Sequence, residues 1–172
     1  ITDRANWWSL YRWNGADLEM VHGGEYEIGL PSWIFDRGLY DYSAGGMIVA
    51  IVNDRAAEGL VVIDPEAGSG DRLDLPIVSL RGGIAVDGNT VFAAVGFADR
   101  PGELVAIQSP SGTIETIRAS ASNALEPGFI SRAQPMTFPT TGDEISYGFY
   151  YPPANRDFVA PVGTAPPLIV SA

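Results

Sequence analysis

No cysteine occurs among the 172 residues, which excludes a disulfide framework and any thiolate metal site. Lysine is missing too: the 10 basic residues are all arginines, set against 21 acids for a net charge of -11. That deficit of positive charge argues against a nucleic-acid or anionic-membrane partner and reads as an acidic, solvated surface. Histidine occurs once, at His22, too little for a zinc site. No stretch reaches the roughly 18 to 20 consecutive apolar residues that a membrane helix needs. The opening ITDRANWW has no basic-then-apolar signal pattern, and a cytoplasmic origin is expected.

What is present is apolar and heavily punctuated. Apolar residues make up 46% of the chain, and 20 glycines and 13 prolines are spread among short Val/Ile/Leu/Phe runs. Many brief strands joined by turns, an all-β fold, are the expectation. The runs also repeat. SLYRWNGADLEMV around Leu10, GLVVIDPEAGSGDRLDL around Leu60 and ELVAIQSPSGTIETI around Leu104 share one shape, an apolar strand, a polar turn with glycine and a second strand, at spacings of 50 and 44 residues. Ahead of the second and third copies stand two more strand pairs, turning at Ala44-Gly45-Gly46 and at Asp87-Gly88-Asn89.

Four short strands per period of about 40 to 45 residues describe a β-propeller blade. MIVAIV and TVFAAV are apolar throughout, as expected of inner strands touching a neighbouring blade on both faces. The count is about two and a half four-stranded blades: the tail of one at residues 1–21, a full blade near 30–77 and another near 78–118. Closed propellers typically have about four to eight, so residues 1–118 are expected to be a partial propeller, a slice of a larger ring. Its open faces and strand edges are expected to self-associate or to meet the rest of a longer polypeptide.

Composition shifts after Ser120. ASASNALEPG is small and polar, and residues 119–133 read as an interdomain linker. Residues 134–172 read as the first strands of a second domain. QPMTFPTTGDEISYGFYYPP forms two antiparallel strands about Gly142-Asp143, with Ile145, Tyr147, Phe149 and Tyr151 on one face. A proline-rich excursion then leads into the short apolar run LIVSA, read as a buried strand.

Chemistry is hard to assemble from these residues. No G-x-S-x-G occurs, and His22, in the polar turn MVHGGEYE, has no serine motif to serve, so it reads as structural or solvent-exposed. The carboxylate pairs Asp71/Asp74 and Asp54/Glu58 lack the spacing of a calcium loop and read as turn charges. The glycines of GGEYEIG and RGGIAVDGN carry no phosphate-loop or dinucleotide fingerprint. Trp7, Trp8, Trp13 and Trp33 are assigned to packing rather than to a stacking platform, with Trp7 and Trp13 on one strand face and Trp8 on the other. Tyr147, Tyr150 and Tyr151 are assigned to packing of the second-domain hairpin. No catalytic, metal-binding or cofactor-binding residue is expected in this chain, and no cofactor.

Four motifs nonetheless carry a resemblance: DRANWWSLYR (3–12), EIGLPSWIF (27–35), FISRAQPMTFPTTG (129–142) and YYPPANRDFVAPVGTAPPLIV (150–170). In this order they resemble the prolyl oligopeptidase family of serine peptidases, in its acylaminoacyl-peptidase and dipeptidyl-aminopeptidase-like branch. The resemblance implies a propeller followed by an α/β-hydrolase domain, with PPLIVSA leading into a His-Gly-Gly-Pro oxyanion loop. It implies a parent that cleaves short peptides near their N-terminus, and a chain that restricts access yet, lacking the Ser-Asp-His triad, is inactive alone. Ala133-Gln134 departs from the usual Pro-Glu, which puts any role of that glutamate in doubt here. Arg132, beside the hinge so implied, is left open between a pair across the domain interface and a place facing the substrate cavity. Two readings from other classes stay open: a non-enzymatic propeller module that binds peptide or glycan, and a dimerisation piece.

Overall fold

The computed structural model describes residues 1–31, 33–35, 37–122 and 125–171. Ser32 of EIGLPSWIF, Asp36 of the expected second blade, Asn123 and Ala124 of the expected linker, and Ala172 after LIVS lie outside the described residues. The chain divides into two compact units, Ile1–Ser122 and Asn123–Ala172.

The first unit holds three antiparallel sheets in chain order. Sheet 1 pairs β1 (Leu10–Trp13) with β2 (Leu18–His22). Sheet 2 runs β3 (Tyr40–Tyr42), β4 (Ile48–Asp54), β5 (Ala57–Ile63), β6 (Gly70–Arg72), each strand beside its predecessor. Sheet 3 repeats that order with β7 (Ile77–Asp87), β8 (Thr90–Phe97), β9 (Glu103–Gln108) and β10 (Thr113–Ala119). Two consecutive four-stranded up-and-down sheets are what the repeat anticipated, and β1–β2 take the place of β5–β6 and β9–β10. Among the described residues there is no α-helix, only single 3-10 turns, and the sheets do not close into a ring. Among the described residues no helix is long and apolar enough to cross a membrane.

Sheet 2 explains why its central strands are apolar on both faces. Val49 and Ile51 of β4, with Leu60 and Val62 of β5, enter a core shared with Leu80, Val91, Val95 and Val105 of sheet 3. The alternate residues, Ile48, Ala50, Val52, Val61 and Ile63, enter a second core with Leu10, Val21 and Ile28. The run Ile48–Val52 of β4 and the run Leu60–Ile63 of β5, covered on both sides, are therefore apolar throughout. TVFAAV differs. Val91, Ala93 and Val95 are buried against sheet 2, whereas Phe92 on the other face of β8, Leu104 on β9 and Ile117 on β10 are exposed. In this chain TVFAAV is an alternating strand with one buried face.

Glycine sets how closely the sheets approach. β7 carries a bulge between Arg81 and Ile84, and there Gly82 sits at φ 84°. A Cβ on Gly83 would lie 2.5 Å from the Gly38 nitrogen, so the two backbones meet at a distance open only to glycine.

In the second unit β11 (Gln134–Pro139) and β12 (Ile145–Tyr150) form a hairpin about Thr141–Asp143, with Gly142 at φ 76°. Ile145, Tyr147 and Phe149 share a face as expected, and Tyr151 lies past the end of β12. After the hairpin the Arg156 guanidinium gathers Asp157 and reaches back to Glu126, and it lies 5.1 Å from the Phe129 ring centre. The reading of LIVSA as a buried strand needs correction: Leu168, Ile169 and Val170 are exposed and, among the described residues, belong to no strand.

Leu60 is fully buried in the seam between sheets 2 and 3, whereas Ile117 on β10 is exposed. Leu60→Ala is expected to cost about 2–5 kcal/mol in urea unfolding, and Ile117→Ala much less.

Candidate functional site

Two clefts open between neighbouring sheets of the first unit. The larger, about 570 Å³, lies between sheets 2 and 3 and is walled by Met47, Val62, Leu73 and Pro110 with Ser43, Asp71, Asp74, Asn89, Ser109 and Ser111 at its polar edge. Strand order places these residues together: the β3–β4, β7–β8 and β9–β10 turns come to one end of their sheets, where β6 also begins. The smaller, about 360 Å³, lies between sheets 1 and 2, with Tyr11, Trp13, Tyr40 and Tyr42 around it. At its rim the Arg12 guanidinium lies 2.7 Å from the Glu66 carboxylate.

Neither cleft assembles a nucleophile with its base. Ser111 Oγ is spent locally, on the Gln108 carbonyl and the Thr113 hydroxyl. His22 lies elsewhere, in the seam of sheets 1 and 2. Its Nδ1–H donates to the Gly68 carbonyl at 2.9 Å, which leaves Nε2 to accept the Tyr26 hydroxyl at 2.6 Å. With both ring nitrogens occupied, His22 ties β2 to the β5–β6 turn and has no serine to activate. Burial pushes the Tyr26 hydroxyl above its ordinary pKa; Arg72 pulls it back and Asp54 adds to the rise. Among the described residues no group of three His, Asp or Glu side chains could hold a metal ion.

The acidic residues do structural work that the sequence pattern did not reveal. Glu58 Oε2 accepts the Leu80 N–H at 2.6 Å, and Asp41 Oδ2 accepts the Val86 N–H at 2.9 Å, so two carboxylates of sheet 2 bind the backbone of sheet 3. Glu27 does the same for the Trp8 N–H at 2.6 Å. Asp54 faces Arg72 at 3.4 Å, and Asp71 and Asp74 line the larger cleft. Asp64 folds the β5–β6 turn, its Oδ1 accepting the N–H groups of Glu66 and Ala67. Those two bonds, first Ala67 and then Glu66, hold its carboxyl below the ordinary carboxylate value.

The tryptophans depart from the alternation expected of them. β1 begins only at Leu10, after Asn6 turns at φ 72°, so Trp7 and Trp13 do not lie on one continuous strand. Trp8 is half-buried, while Trp13 and Trp33 are exposed. Tyr147, Tyr150 and Tyr151 are largely exposed rather than packed, since the two-stranded hairpin offers no second layer. Arg132 is exposed and takes part in an interaction, and Gln134 opens β11.

No protein-family model matches this sequence, and no curated protein is similar to it. Solved structures are similar. A puromycin hydrolase superposes with a TM-score of 0.85 at 24% identity, over 96% of this chain and 25% of that one. A mutant of a puromycin hydrolase complexed with PGG matches at 0.84 and 24% identity over the same shares. A Mycobacterium tuberculosis puromycin-hydrolyzing peptidase matches at 0.85 and 23% identity, again over 96% of this chain and 25% of that one.

Substituting Glu58 by alanine removes a charged acceptor from a part-buried N–H and is expected to cost about 1–3 kcal/mol in urea unfolding, with Glu58→Gln losing less. For Asp64 the folded pKa lies below the unfolded one, so its contribution is present above the ordinary carboxylate pKa and is lost as pH falls through the folded value. The thermal midpoint of Asp64→Asn should therefore trail the parent at pH 7 and converge with it under acid. The chain shares the fold of puromycin-hydrolyzing peptidases and spans about a quarter of their length.

Proposed function

We propose that this chain is the non-catalytic propeller-and-hinge part of a serine peptidase of the prolyl oligopeptidase kind, acting on short peptides in the cytoplasm. The observation that carries the reading is the likeness of fold over 96% of the chain to peptidases four times its length. The motifs of residues 129–142 and 150–170 support it from the sequence side. In this reading residues 1–118 limit access to the active site, residues 119–133 are the hinge and residues 134–172 open the hydrolase domain. The acylaminoacyl or dipeptidyl preference belongs to the same proposal. Nucleophile, base and oxyanion donors then reside in the remainder of the polypeptide.

The test compares the 172-residue chain with the full polypeptide of its gene. Chromogenic acyl-aminoacyl and aminoacyl substrates should be turned over by the full polypeptide alone, and a fluorophosphonate probe should label one serine outside residues 1–172. Turnover by the pure 172-residue chain would overturn the assignment. A full polypeptide without a reactive serine would overturn it in favour of a binding module.

A further inference from the structure

The larger cleft, between sheets 2 and 3, is walled by turns that are tied to one another. The Ala44 N–H donates to the Gly88 carbonyl at 2.7 Å and the Ser109 N–H to the Asn89 carbonyl at 2.8 Å, which joins the β3–β4, β7–β8 and β9–β10 turns. A Cβ on Gly112 would lie 3.5 Å from the Asp74 carbonyl oxygen, so the β9–β10 turn also abuts the segment that follows β6. The rim is therefore preformed, as ligand sites usually are.

Register decides which charges face it. On β6 Asp71 lies opposite Val62 and Arg72 opposite Val61. Cross-strand partners share a face and successive residues alternate, so Asp71 stands with Val62 on the side of sheet 3 and Arg72 with Val61 on the other. The Arg72 guanidinium runs toward the β4–β5 turn, to Asp54 Oδ2 at 3.4 Å and the Ala57 carbonyl at 3.3 Å, away from the three turns that bound the cleft. Asp71 and Asp74 both line it, and among the described residues neither carboxylate has a hydrogen-bond or ion-pair partner.

Ser109 supplies a second, independent sign. The residue is only 9% exposed, yet its hydroxyl has no partner among the described residues. No fully buried side-chain oxygen there lacks a partner, so the Ser109 hydroxyl is not sealed in: it opens into the cleft that Ser109 lines. A group so deeply placed and still unbonded marks a position that a ligand atom completes.

We infer that this cleft binds an organic monocation: an ammonium head against Asp71 and Asp74, donating to Ser109 Oγ, on a short aliphatic body over Met47, Val62 and Leu73. The residue types select that class. Ionised carboxylates only accept, and the Ser43 and Ser109 hydroxyls and the Asn89 side-chain carbonyl can accept as well, so the wall suits a ligand rich in donors and repels an anion. Among the described residues no third acid or histidine joins the pair to hold a metal ion, and an apolar floor contributes nothing to a bare ion. At about 570 Å³ the cleft has room for an alkylamine or for a lysine side chain of an extended peptide, two sources of one head group. The inference stands apart from the peptidase reading, since it uses no residue of the motifs that carry that reading.

Titration of the isotopically labelled 172-residue chain, followed by amide chemical shifts, tests it. The ligands are n-pentylammonium, its neutral counterpart n-pentanol, and acetyl-lysine methylamide. Saturable shifts at Asn89, Ser109 and Ser111 are expected with pentylammonium, at a Kd of about 1 mM or tighter, and none with pentanol. Asp71→Asn combined with Asp74→Asn should weaken binding at least about tenfold and Ser109→Ala about threefold, with unmoved β5 amides reporting an intact fold. Because the chain carries a net charge of -11, Asp17→Asn combined with Glu115→Gln removes the same charge at exposed positions outside the cleft and should change the Kd less than about twofold. Shifts that never saturate, an equal loss in that second pair, or equal binding of pentanol overturn the inference, as does calcium binding in the cleft more tightly than pentylammonium. Acetyl-lysine methylamide binding as well as pentylammonium supports the site as one for a peptide side chain, and pentylammonium binding alone supports it as one for a free amine.

Discussion

A sheet with two apolar faces requires a layer on each side, and the first unit is organised by that requirement. β4 and β5 bury alternate residues in two separate cores, so sheet 2 is stable only as the middle of a stack. Sheets 1 and 3 supply the cover, and each in turn presents what sheet 2 no longer does. Sheet 3 shows Phe92 and Leu104 on its far face, and sheet 1 leaves Tyr40 and Tyr42 exposed. In repeat architectures of this kind stability is close to a sum of repeat and interface terms, and terminal repeats are the ones left wet.

Hydrophobic cover alone does not set the register between sheets. That task falls to carboxylates, which accept backbone N–H groups across the seams: Glu58 to Leu80, Asp41 to Val86 and Glu27 to Trp8. A charged acceptor makes a stronger bond than a neutral one and, when part-buried, it fixes the spacing of two backbones. The Gly38–Gly83 approach does the complementary job by leaving no side chain between them. Part of the acidity of this chain therefore holds sheets together, and the acidic surface inferred from net charge accounts only for the remainder. His22 belongs to the same class of fastener, joining β2 to the β5–β6 turn through Gly68 and to Tyr26.

The second unit is held differently. A two-stranded hairpin has no opposing layer, and its aromatic residues stay largely exposed. Its local order comes from polar anchors, with Arg156 drawing Glu126, Asp157 and Phe129 together and the Ser131 hydroxyl bonded to the Pro152 carbonyl. Such contacts order a segment without burying it, which suits a stretch whose apolar residues, Leu168 to Val170 among them, have no cover within the unit.

The strands, their turns and the repeat were legible in the sequence because they depend on local pattern: alternation or continuity of apolar residues, and glycine or aspartate where the chain reverses. The all-β class, the four-strand period and the hairpin about Gly142-Asp143 follow from that pattern alone. Burial and pairing across sheets do not, because they depend on which neighbour is present. TVFAAV and MIVAIV look alike, yet only the latter is covered on both faces; LIVSA reads as a strand, yet it has no partner. Nor does spacing reveal that Glu58 reaches Leu80 or that Asp41 reaches Val86, since such bonds join backbones brought together only by stacking. The sequence by itself determined the strands and their period through side-chain alternation; the tertiary structure alone decided which faces and edges are closed, because closure is a property of the neighbouring layer and not of the strand.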